Sequence, residues 1–182
     1  MVGSLVSHSQ FRPADRSDLI YISQWSAKAI GRSEKWADHY ARILLKPPEP
    51  AASLLHSMSW MAVASKRRLF FLEASIDRQV FIITPPGLLK SYPCALLIWS
   101  RSFEHLHRIL PLQPLIVNLF SPTEAERRAL DKLGCQRINT ENSSGDSYLC
   151  SPAAGASPST AKNRSERDAN EDGENEHQAI EP

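Results

Sequence analysis

The chain predicts an α+β domain, a mixed central sheet flanked by helices, followed by an acidic tail. Between residues 79 and 150 a short apolar strand, a long helix, a second apolar strand and a capped helix ending in Leu133-Gly134 follow one another. Strands alternating with helices in this way point to a parallel crossover. Residues 58–84 hold three short runs rich in β-branched and aromatic residues, the pattern of a meander. After Cys150 large apolar residues almost vanish, so that segment cannot bury enough surface to offset the entropy of ordering it. Residues 1–150 are therefore read as one domain and residues 151–182 as a disordered tail.

Element by element, residues 9–13 read as a first strand ended by Pro13, after which Asp15 or Ser17 can cap a helix. Leu19, Ile22, Trp25 and Ala29 fall near one face of that helix, and Gly31 stops it. Ser33 can cap a second helix carrying Trp36, Tyr40, Ile43 and Leu44, until the proline run at 47–50 makes helix impossible. Strands are expected over residues 59–65, 69–75 and 80–84, with Lys66-Arg67-Arg68 and Ile76-Asp77-Arg78 as polar breaks. Residues 54–64 could also be written as a helix. Pro85-Pro86 closes the third strand, and a helix runs from near Pro93 to Ile109 with Trp99, Phe103, Leu106 and Leu110 along one side. Residues 115–120 form a short apolar run suited to a buried strand. In the next helix Ser121 is the expected cap, Pro122 fills the first position, Glu124 completes a capping box and Gly134 takes the left-handed end. Residues 136–139 and 146–150 then pair as a hairpin. The four tryptophans are expected in or beside the core.

At 182 residues the chain holds one ordinary domain, which buries about 70% of its unfolded surface. The net charge of +1 conceals a split, since the tail holds three basic and seven acidic side chains, leaving +5 for residues 1–150. A mildly basic body with an acidic tail is explained by solubility before any contact with nucleic acid. Cys94, Cys135 and Cys150 are odd in number and lack metal or redox spacing, so no disulfide framework is expected and a cytoplasmic setting fits. No window reaches the ~18 apolar residues of a membrane span, and the start of the chain lacks signal-peptide order.

Phe11-Arg12-Pro13-Ala14 followed by Asp18-Leu19 resembles the R-P-A-x-x-x-D opening of GNAT acyltransferases. Lys132-Leu133-Gly134 matches the core of their N-x-x-A-x-x-L-Y-x-K-x-G-F segment. The order and spacing of elements over residues 57–138 are similar to those of divergent GNAT-like proteins of short-tailed phages, some of them internal virion or morphogenesis proteins. The resemblance implies a GNAT-like sheet and places the cofactor-gripping turn at residues 84–91, with Gly87 and Leu88 as the cofactor-binding candidates and Glu73 as the candidate general base.

Departures from the pattern bear on catalysis. Active members use a glycine-rich turn whose successive backbone N–H groups hold a pyrophosphate at a helix N-terminus. Here Pro85 and Pro86 remove two donors. The family's general-acid tyrosine is replaced by Leu130, and Thr123 stands where an asparagine opens the segment. The resemblance therefore implies a non-catalytic GNAT-like binding or assembly protein, a phage virion-associated or morphogenesis component with no cofactor and a protein partner, in host cytoplasm or virion. The first alternative is an N-acetyltransferase using acetyl-CoA through an atypical loop. The second is a small regulator touching nucleic acid through the basic body. Lys66, Arg67 and Arg68 are the candidate partner-binding residues, against solvation of a hairpin tip as the simpler account. His105 and His107 diverge on a helix and are expected as surface residues rather than a metal clamp. Glu73, if not catalytic, is expected as a solvated strand residue. The segment Gly87-Leu88-Leu89-Lys90-Ser91 lacks the first glycine of a phosphate-binding loop.

Overall fold

The computed structural model describes residues 2–30, 38, 42, 57–75, 77–110, 113–119, 122–138 and 145–152. Its strands are β1 (Gln10–Pro13), β2 (Ser57–Ala64), β3 (Arg67–Ser75), β4 (Gln79–Ile83), β5 (Leu115–Leu119), β6 (Gln136–Ile138) and β7 (Asp146–Cys150). The helices are α1 (Val2–Ser7), α2 (Leu19–Ile30), α3 (Tyr92–Ile109) and α4 (Glu124–Lys132). One seven-stranded sheet runs in the order β1-β2-β3-β4-β5-β7-β6. Every neighbouring pair is antiparallel except β4 and β5, which α3 joins in parallel.

Period-two alternation divides the buried side chains between two faces. On one face Phe70, Leu72, Ala74, Val80, Leu115, Val117 and Tyr148 pack with Val6 of α1, with Ile98, Trp99, Phe103 and Leu106 of α3, and with Ala129 and Leu130 of α4. On the other, Met61, Phe71 and Ile83 meet Ile22 and Trp25 of α2. Trp25, Trp60 and Trp99 are buried; Trp36 lies outside the described residues.

Several local expectations change. Helix α1 was not anticipated; Val6 is fully buried and its carbonyl accepts from both the amide and the hydroxyl of Ser9 (3.1 and 2.7 Å). Asp15, not Ser17, caps the short 3-10 turn Arg16–Asp18 that feeds α2, with Asp18 bonding back to its amide at 3.0 Å. The strand expected over residues 59–65 is present as Ser57–Ala64, and the helical alternative for that segment falls. The β2–β3 turn is only Ser65-Lys66, both left-handed (φ 48° and 64°), so Arg67 and Arg68 belong to β3 rather than to the break. Helix α4 is capped by Thr123, whose hydroxyl accepts from the Glu126 amide at 3.1 Å while the Glu126 carboxylate accepts from the Thr123 amide at 2.9 Å. The expected cap Ser121, most of the expected helix after Ser33 and the tip of the last hairpin lie outside the described residues. Asp38 and Arg42 are helical and ion-paired at 2.8 Å.

Cys135 and Cys150 correct the cysteine reading: they form a disulfide, with Cα atoms 4.3 Å apart. Gln136 pairs with Leu149 across β6 and β7, so the two cysteines meet as the next step of that register. Linear spacing carries no sign of a partnership that a hairpin creates. Cys94 is free and half-buried.

Candidate functional site

The parallel seam between β4 and β5 is short. Its register pairs Gln79 with Ile116 and Val80 with Val117, supported by a 2.8 Å bond from the Ile116 amide to the Arg78 carbonyl. Both strands continue past it toward their C-terminal ends. There each stays in register with its outer neighbour, Ile83 with Phe71 of β3 and Leu119 with Asp146 of β7. The sheet is thus closed at one end of the seam, and its register stops at Val80 and Val117.

The turn that follows β4 lies at that open end. Gly87 adopts φ 83°, and a Cβ there would meet nothing within 4 Å, so the glycine serves backbone conformation rather than space. Pro85 accepts from the Leu88 amide and Gly87 from the Lys90 amide, both at 3.2 Å. Ser91 then opens α3 without capping it by its side chain, and a proline stands in the first turn. The 18-residue α3 aims the positive end of its dipole at this turn. Helix α4 braces it from the side. The Thr123 hydroxyl donates to the Leu89 carbonyl at 2.8 Å, and the Arg128 guanidinium lies 4.8 Å over the Tyr92 ring.

On the sheet face that α2 partly covers, polar side chains line the strands around the seam. Ser147 donates to the Asn118 carboxamide oxygen at 2.9 Å, and the Asn118 amide donates to Gln79 at 3.3 Å. These bonds tie β7, β5 and β4 together where the seam's register stops. Glu73 stands in register with Phe81 of β4 and Ser59 of β2, one strand spacing of about 4.8 Å from the strand that borders the opening. It is only 6% exposed, which overturns its expected placement as a solvated residue.

The sequence candidates therefore divide. Gly87 and Leu88 sit in the turn, and Glu73 lies beside the seam. Lys66, Arg67 and Arg68 sit at the β2–β3 tip, away from it. Arg68 is also not free for a partner: it donates to Asp18 at 2.6 Å and to Ser17 at 2.9 Å, and stacks 4.5 Å over Tyr21. Leu130 is fully buried. His105 and His107 are half-buried rather than surface residues, stacked on Phe11 and Phe103. Burial pushes both imidazoles down, reinforced at His105 by Arg108 and Arg101. Gln79, Asn118, Ser147 and Arg128 were missed. The one available signal was Asn118, a lone amide inside the apolar run 115–119.

No family model matches the chain, and no curated protein matches it in sequence. Solved structures match in shape. Spermidine N-acetyltransferase from Vibrio cholerae, in complex with CoA and spermine, superposes with a TM-score of 0.58 at 12% identity, covering 83% of this chain and 99% of that one. AAC(6')-Ib in complex with ribostamycin and coenzyme A gives a TM-score of 0.60 at 9% identity, over 82% and 97% of the two chains. A putative acetyltransferase from T. thermophilus gives 0.55 at 13%, over 81% and 87%. At such identities the likeness speaks to fold, and the fold is GNAT-like: a mixed seven-stranded sheet flanked by helices.

Proposed function

We propose that this protein admits an acyl-coenzyme A thioester to the opening between β4 and β5 and transfers the acyl group to an amine, with acetyl-CoA as donor. The observation that carries the reading is the two-pair seam running out directly before the left-handed Gly87 turn and the N-terminus of α3. The similarity to structures solved with coenzyme A supports it. The turn fits an anionic group despite its prolines, because Arg128 and the exposed Lys90 set positive charge beside the α3 N-terminus. Bound there, acetyl-CoA supplies the activated carbonyl. Glu73 would accept the proton that the attacking ammonium must lose, and its burial beside the seam keeps bulk water from competing for it. Asn118, held between Ser147 and Gln79, fixes the width of the opening.

A second reading keeps the cleft and drops the chemistry, making the protein a binding or assembly component like the GNAT-like virion-associated proteins of short-tailed phages. It is favoured by Pro85 and Pro86, which offer no amide to a phosphate, and by Leu130, which is buried and unable to protonate a leaving thiolate.

Titration calorimetry with acetyl-CoA, followed by thiol release in the presence of a panel of amines, separates the two. Acyl transfer expects a micromolar dissociation constant and a release rate that falls at least ~100-fold in Glu73→Gln. Binding without release for any amine would leave the second reading standing, and no binding at millimolar acetyl-CoA would overturn the assignment of the cleft.

A further inference from the structure

Strand β1 is one edge of the sheet, and its register fixes which of its backbone groups look outward. The Ala14 amide donates to the Ser59 carbonyl at 3.0 Å, continuing the register in which Arg12 pairs with Met61 and Gln10 with Val63. In an antiparallel ladder such alternate residues turn their amides and carbonyls toward the neighbouring strand, and the residues between them turn theirs away. Ser9, Phe11 and Pro13 therefore aim their backbone groups off the sheet.

Open edges invite pairing with other chains, and proteins blunt them. This edge is blunted on both sides of Phe11. The Ser9 amide donates to the Val6 carbonyl at 3.1 Å, and the Ser9 carbonyl accepts from Arg101 at 2.8 Å. Pro13 has no amide, and its carbonyl accepts from Arg12 at 3.0 Å. Phe11 keeps an outward amide and an outward carbonyl with no partner among the described residues. Its position is set by its ring, which stacks on His105 at 4.2 Å and meets Phe70 edge-on at 5.7 Å. Phe11 also belongs to the wall of a recess of about 350 Å³ between β1 and α3, with Ser9, Arg101, Glu104, His105 and Arg108. That volume suits a small ligand. Glu104 is answered by Arg101 at 2.6 Å, and burial pushes the His105 imidazole down, toward its neutral form. Arg108 is exposed and has no ion pair among the described residues, which leaves the recess with one positive charge.

We propose that this recess binds an N-acylated α-amino acid, its amide N–H donating to the Phe11 carbonyl, one carboxylate oxygen accepting from the Phe11 amide and the other pairing with Arg108. The ligand then completes one residue of the edge ladder by its own backbone-like groups, and the carboxylate bonds are charge-assisted. A longer peptide gains nothing, because the groups of Ser9 and Pro13 on either side are already used. A free amino acid carries an ammonium and no net charge, so it leaves the charge of the recess unanswered. The site is separate from the opening between β4 and β5, since Arg101 and Arg108 lie about 15 and 25 Å along α3 from its N-terminus.

Proton–nitrogen-15 correlation spectra of the full chain, titrated with N-acetyl-L-alanine, test this directly. The Phe11 amide signal should move downfield and saturate, with the other shifts concentrated at residues 9–11 and 101–108. Three relatives of the probe each remove one feature: the carboxamide lacks the negative charge, the N-methyl derivative lacks the amide N–H, and free alanine lacks the acyl group. Each should bind at least ~10-fold more weakly. Arg108→Gln, at an exposed position with no bond to lose, should weaken N-acetylalanine to the same degree and leave the rest of the spectrum in place. No saturable shift at ~10 mM probe, a carboxamide or free alanine that binds as well as the acid, or an Arg108→Gln protein that binds unchanged would each overturn the proposal. So would an acetylated tetrapeptide ending in alanine that binds more than ~10-fold tighter than N-acetylalanine, since that gain would mean strand addition along the edge.

Discussion

Asp18 shows what a single residue can decide. It is fully buried, which pushes its carboxyl up. Hydrogen bonds from Arg12, the Asp15 amide and Arg68 outweigh that and leave it below the ordinary carboxylate range. A group whose folded pKa is depressed stabilises the fold above its unfolded value and loses that contribution as pH falls through the folded one. Stability should therefore decline below about pH 4, and Asp18→Asn should flatten that decline while costing about 3 kcal/mol at neutral pH. Urea titrations of both proteins from neutral to acid pH would check it; parallel curves would remove Asp18 from the account. The sequence marked Asp18 as part of an opening motif but gave no hint that Arg68, fifty residues later, completes its site. Glu73 hid its burial for a related reason. A carboxylate in a strand reads as solvent-facing until a helix is known to cover that face.

Among the elements, α4 joins the fold's stability to its cleft. Thr123 and Glu126 satisfy each other's backbone amides, and the same Thr123 hydroxyl reaches the Leu89 carbonyl in the turn before α3. Thr123→Ala should cost ~1 to 2 kcal/mol by chemical denaturation and should also weaken ligand binding at the turn. Glu126 behaves differently. Burial raises its carboxyl above the ordinary range despite the bonds from Thr123 and the nearby charge of Arg127, so its contribution is fullest at low pH and is lost as pH rises through the raised value. Glu126→Gln should therefore be milder than Thr123→Ala at neutral pH, and a reversal of that order would mean the charge is needed. Element order and type were largely legible in the sequence because periodicity and prolines announce them. The caps and turn lengths were not, since Ser121 and Thr123 offer the same chemistry two residues apart. The Cys135–Cys150 bridge depended on a register that local sequence does not encode. Closing its 15-residue separation adds about 3 kcal/mol in the chain-entropy account, so Cys135→Ser should lower the denaturation midpoint and reductant should have no further effect on that variant.

At the scale of the whole molecule, the GNAT-like architecture was readable from a strand–helix–strand–helix order, whereas the site is a property of where two strands part. Phe81 has no sequence signature for lying beside an opening, and Asn118 has only that of a lone amide in an apolar run. The parting also has a mechanical side. Strands β1 to β4 form one plate and β5, β7 and β6 another, hinged along a hem of two residue pairs and stiffened from one side by α3. Such a body flexes about its hem, so a molecule wedged in the gap acts as a strut. Amide hydrogen exchange should then slow on both plates when the gap is filled, most strongly at Ile82 and Asn118, whose amides face it as the Ile116 amide faces the Arg78 carbonyl, although neither plate has gained a strand.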